Sequence, residues 1–100
     1  MMKPLNPKIH CMSGLSMSVQ ASETHYCTPR DDNGPYDSVE IGFPSMPLPE
    51  LNEWADGPIG EDGKCDVYGY VPVPELIKVI QANGGIVEGE LPPYDFHQLN

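Results

Sequence analysis

Apolar residues recur at helical spacing in one stretch of the chain. Val73, Leu76, Ile77 and Ile80 stand at i, i+3, i+4 and i+7, with Val79 on the edge of the stripe, while Glu75, Lys78 and Gln81 face away. The spacing predicts a helix from 74 to about 82. Pro74 suits its first turn, where a missing N–H is no loss and φ is already helical. Asn83-Gly84-Gly85 ends it, since Gly84 can take the left-handed conformation without a Cβ clash. So short a helix is marginal alone and must be held by packing, each buried aliphatic side chain contributing roughly 1.5–3 kcal/mol before entropy is charged. Residues of β character flank it over 65–71 and 86–88, so the partner surface is expected to be a sheet. Their short links to the helix make them neighbours in space.

Elsewhere the period is closer to two. Residues 19–28 read as a strand, with His25 and Cys27 on one side and Thr24 and Tyr26 on the other. Residues 29–35 are a dense turn signal in which Asn33-Gly34 can supply positive φ. Over 36–43, Val39, Ile41 and Phe43 point one way and Ser38, Glu40 and Gly42 the other, and the two strands read as an antiparallel hairpin. On 65–71, Val67, Gly69 and Val71 share one face and Tyr68 and Tyr70 the opposite one. With the valines packed on the helix, both tyrosines stand on the outer side of the sheet.

Residues 45–56 hold a second short helix, about 47–55, with Pro47 or Pro49 in its first turn. Leu48, Leu51 and Ala55 form its stripe, and Trp54 lies beside it. Residues 91–93 begin an extended tail. Residues 1–16 lack sustained periodicity and read as an N-terminal extension ahead of a single domain over 17–100, with Met12 and Met17 both serviceable as starts. The fold class is α+β: a three- or four-stranded antiparallel or mixed sheet with one main and one short helix.

Composition narrows this picture. One hundred residues make one domain. Ten glycines and twelve prolines imply short elements and long connections. No apolar run has transmembrane length, and no apolar stretch follows Lys3 and Lys8, so no secretory signal is expected. Cys11, Cys27 and Cys65 are odd in number and form no CxxC pair, which reads as reduced thiols in a cytosol. Fifteen acidic and five basic side chains leave a net charge of −10. Nucleic acid and anionic membrane are thereby disfavoured as direct ligands, because both need clustered Lys and Arg. The acidity serves either solubility or a surface that meets a basic partner.

Catalytic chemistry finds little purchase. His25, Cys27 and Cys65 with Asp66 or His10 are the residue types of a zinc site, but no two have finger-like spacing. Cys27 with His25 and Arg30 suggests an activated thiol, yet the phosphatase spacing of Cys to Arg is absent. There is no GxSxG, HExxH, Walker or dinucleotide glycine pattern. The loop GPIGEDG (57–63) is acidic, so it would repel phosphate, and it lacks the EF-hand ligand order. No enzyme activity, metal or cofactor is expected. The candidate binding residues are instead the aromatics Trp54, Tyr68 and Tyr70, a composition typical of protein interfaces, together with the acids Glu50, Glu53 and Asp56.

The segments HYCTPRDDNGPY, VEIGFPS and VYGYVP resemble small uncharacterised proteins encoded by bacteriophages and prophages, over roughly 17–86. The resemblance implies an accessory protein of the bacterial host cytoplasm and assigns no activity or residue role. The preferred reading is a small acidic non-enzymatic protein that binds and modulates another protein. The alternative is a nucleic-acid mimic that inhibits a DNA- or RNA-binding protein, motivated by the six acids and one Lys of residues 50–66. A metal-binding or cysteine-dependent enzyme stands behind both. Homodimerisation through the hairpin edge or the tyrosine face is compatible with each.

Overall fold

In a computed structural model that describes residues 4–94, helix α1 (Val73–Ala82) forms where the periodicity places it. Val73, Leu76, Val79 and Ile80 are buried and Ile77 is half-buried, so the stripe is rotated slightly toward Val79. Pro74 occupies the first turn. At the other end Asn83 Nδ2 donates to the Val79 carbonyl at 2.8 Å, and Gly84 follows at φ 86°. A Cβ at Gly84 would also lie 2.8 Å from Met12 Cβ, so both the conformation and the space call for glycine.

The helix covers a sheet of five strands: β1 (Ile9–Cys11), β2 (Ser16–Gln20), β3 (Ser38–Gly42), β4 (Val67–Pro72) and β5 (Ile86–Glu88). Their order is β4-β3-β2-β1-β5, and each neighbouring pair is antiparallel. The class is α+β as expected, but the sheet has five strands rather than three or four. The additional strand is β1, whose three residues are too few to display a period. Ile9 and Cys11 point inward and His10 outward, and a tight turn at 12–14 returns the chain to β2 with Ile9 opposite Met17. Within the stretch 1–16, read as an extension, residues 9–15 therefore supply a strand between β2 and β5 and the core side chains Ile9, Cys11 and Leu15. No structural break falls at residue 16.

The strands flanking α1 lie at opposite edges of the sheet, so they neighbour the helix but not each other. Four strand spacings amount to ~19 Å. A helix of ten residues covers ~15 Å of that, and Asn83, Gly84 and Gly85 supply the remainder. The helix thus crosses the sheet. Ile9, Met17, Val19, Val39, Ile41, Tyr68 and Val71 from the sheet are buried in one core with the helix's apolar residues.

Three expected elements are altered. The strand expected over 19–28 ends at Gln20, because the hydroxyl-bearing residues after it hydrogen-bond locally in place of the ladder. Ser22 Oγ accepts the Thr24 N–H at 3.1 Å, and the Cys27 thiol donates to the Ser22 carbonyl at 3.2 Å. His25 and Cys27 consequently share no strand face. Phe43 lies beyond the end of β3 at φ 51° and is exposed, whereas Val39 and Ile41 are buried as expected. The second helix is a 3-10 turn, Pro49–Trp54, that buries Leu51. Prolines at 47 and 49 remove backbone donors, and Gly57-Pro58 leaves no length for a regular α-helix.

Candidate functional site

The site is built on an irregularity in β4. Val39 pairs with Val71 and Ile41 with Tyr68, so Glu40 alone opposes Gly69 and Tyr70. One extra residue has been inserted, and Tyr70 takes φ 55° to accommodate it. The insertion inverts the alternation. Tyr68, expected on the outer face with Tyr70, turns into the core with no exposed surface, and its hydroxyl accepts the Cys65 N–H at 3.2 Å. Burial pushes the Tyr68 phenol above its ordinary value. Tyr70 stays outside and is 46% exposed.

Tyr70 does not stand alone. Its N–H donates to the Tyr26 carbonyl at 2.9 Å, and the two rings stack with centroids 5.7 Å apart and planes at 20°. Gly69 makes room for this: a Cβ there would lie 3.0 Å from Tyr26 Cβ. Arg30 extends the assembly, its Cζ 5.5 Å from the Tyr26 centroid. Left-handed φ costs a tyrosine about 1–2 kcal/mol, so this conformation depends on the bond and the stack that hold it.

The chain leaving the 3-10 turn completes a groove. Ala55 bridges to Tyr68, and the Asp56 N–H donates to the Val67 carbonyl at 2.8 Å. The resulting cavity of about 340 Å³ is lined by Tyr26, Gly69 and Tyr70 together with Glu53, Trp54, Ala55 and Asp56. Trp54 packs partly against the core and partly into the groove. Of the six residues singled out in the sequence, Trp54, Tyr70, Glu53 and Asp56 converge here. Glu50 is exposed on the 3-10 turn outside the lining, and Tyr68 lies beneath it in the core. Tyr26 belongs to the site and was not singled out. Its signal was Gly69, an isolated glycine among β-forming residues, which marks a bulge or the close approach of another segment.

Other constellations serve the fold. Ser22 Oγ lies 2.6 Å from His25 Nδ1, and His25 Nε2 lies 3.9 Å from Glu40 Oε1. That serine is buried, and its oxygen also accepts the Thr24 N–H, so it is occupied in closing a turn. Cys27 is fully buried, and desolvation pushes its thiol upward despite Arg30 nearby, the opposite of an activated nucleophile. Among the described residues no three His, Cys, Asp or Glu side chains gather as metal ligands, so His25, Cys27 and Cys65 do not meet. The loop over 57–63 folds on itself, with the Gly60 N–H donating to the Lys64 carbonyl at 2.8 Å. A larger cavity, about 560 Å³, is lined by Lys8, Lys64, Asp62 and Asp66 among others. It mixes charge signs, and Lys64 pairs with Asp62 at 3.8 Å. No helix among the described residues is long and apolar enough to cross a membrane.

No protein-family model, curated protein or solved structure matches this chain.

Proposed function

We propose that this chain is a small acidic binding protein, without catalytic activity of its own, that modulates a protein partner by engaging it at the Tyr26–Tyr70–Trp54 groove. The observation that carries the reading is the groove itself: two stacked, exposed tyrosines and the chain's single tryptophan beside two carboxylates. Exposed aromatics that are already rigid contribute contact area with little loss of conformational entropy, which is why they dominate binding hot spots. The short segments that resemble phage and prophage proteins are the support for a bacterial cytoplasm as its setting and a host or viral protein as its partner.

Affinity capture tests the reading when wild type is compared with Tyr70→Ser and with Glu75→Gln, a change on α1. A partner retained by Glu75→Gln and lost by Tyr70→Ser supports it. A partner indifferent to Tyr70→Ser, or no specific partner at all, counts against it. Nucleic-acid mimicry is a second reading, favoured by one observation: all six acids of residues 50–66 are exposed. It requires target binding to weaken steeply as salt rises, because charge competition is screened. Salt-independent binding removes it.

A further inference from the structure

We infer that the groove receives an arginine side chain presented by an extended segment of the partner protein. This rests on the binding reading above and specifies the ligand chemistry of the same site.

Charge is the first argument. Glu53 and Asp56 line the groove, and neither side chain has an ion pair or hydrogen bond with another described residue. Of the described cations, Lys64 pairs with Asp62 and Lys78 with Glu75, and none pairs with Glu53 or Asp56. The groove carboxylates are left for a cation from outside. Chemistry of the walls is the second argument. Tyr26 and Tyr70 stack on each other and Arg30 rests its guanidinium over Tyr26 from outside the groove, so Tyr70 and Trp54 are the aromatics left to a ligand there. A guanidinium is planar and weakly hydrated, stacks on aromatic faces and forks onto carboxylates. An ammonium is a strongly hydrated point charge that does the first poorly and lacks the fork. Aromatic rings and acids in one cavity therefore favour arginine over lysine.

Size is the third argument. At about 340 Å³ the groove lies at the small end of ligand pockets, enough for one long side chain and its flanking backbone. Free arginine fills only the side-chain part of that space and lacks the flanking backbone, so the size of the groove favours a chain segment.

Trp54 fluorescence reads the groove directly, since it is the only tryptophan. The probe is the capped pentapeptide Ala-Ala-Arg-Ala-Ala, titrated beside its lysine and citrulline analogues and beside free arginine. Saturable binding of the arginine peptide is expected, with Kd on the order of a millimolar or tighter, and weakening of about tenfold for the neutral citrulline analogue. The lysine peptide and free arginine should each bind at least about threefold more weakly than the arginine peptide. Glu53→Gln and Asp56→Asn, both at exposed positions, should each reduce affinity while leaving the circular dichroism spectrum unchanged. Citrulline binding as well as arginine, lysine matching arginine, or free arginine matching the peptide overturns the inference. An absent peptide signal in a protein that still captures its partner through Tyr70 overturns the arginine assignment and leaves the binding reading standing. Loss of both overturns both.

Discussion

Helix α1 and strand β4 meet at Pro72 and Val73 and bury their side chains in one core, yet they treat a small error in pattern differently. On the helix, Val79 is buried and Ile77 half-buried where the stripe suggested the reverse. The apolar face is broad, so a modest rotation exchanges neighbours without exposing the core. On the strand, one inserted residue sends Tyr68 inward and parts it from Tyr70. Period two has no intermediate setting: a slip of one residue moves a side chain from one face to the other. Helical patterns degrade gradually, and strand patterns flip.

Mutations can break or sharpen this contrast. The largest effect is expected at Tyr68. Tyr68→Ser should lose roughly 3–5 kcal/mol or fail to fold, comparable to the roughly 2–5 kcal/mol of Leu76→Ala on the helix, as read from urea denaturation. Tyr70→Ser should cost less than about 1 kcal/mol. Similar losses at 68 and 70 would mean that both tyrosines occupy one kind of environment and that the bulge is absent.

Gly69→Val comes next, at about 1–3 kcal/mol, because the new side chain meets Tyr26. In a Tyr26→Ala background that cost should shrink substantially, and additivity in the double-mutant cycle would disprove the close approach. Tyr70→Gly should fall within about 1 kcal/mol of wild type, since relief of the left-handed strain offsets the lost stack, while partner capture disappears.

The smallest effects are in pH dependence. Burial raises the Cys11 and Cys27 thiols above their ordinary values. The folded state therefore holds protons that the unfolded chain releases first. That contribution is complete below the ordinary thiol value of 9.0 and is lost as pH climbs through the raised one, so the urea midpoint should fall between about pH 8 and about pH 10. An unchanged midpoint would place these thiols in water. Glu23 supplies a surface baseline. Its hydrogen bond to Asp32, then their mutual repulsion, raise the carboxyl, so the stabilisation is complete below the ordinary value of 4.5 and lost as pH climbs through the raised one. Glu23→Gln should melt slightly above wild type near pH 7 and together with it near pH 3.

Much of this was readable from residues, and the remainder had physical reasons to be hidden. Pro74, the aliphatic stripe and Gly84 state a helix and its two ends without reference to the rest of the chain. The groove depends on encounters between distant segments. Ser22 and Thr24 end β2 early and release Tyr26 to reach β4, and nothing local to Tyr26 announces that destination. Glu53, Trp54 and Asp56 are near neighbours in sequence, and the 3-10 turn and the chain leaving it set all three at the groove with Tyr70. Tyr68 was misplaced because a bulge is a count of residues against a partner strand, and the partner's register is not written in 65–71. Strand β1 was missed for lack of length, although Ile9, His10 and Cys11 already alternate in burial.

Nitration with tetranitromethane, mapped by mass spectrometry on the native protein, tests the inverted alternation of β4 most directly. Tyr70 and Tyr26 should be modified readily, and Tyr68 and Tyr36 should be protected until the protein is unfolded. Modification of Tyr68 at the rate of Tyr70 would contradict the bulge, and with it the groove built upon it.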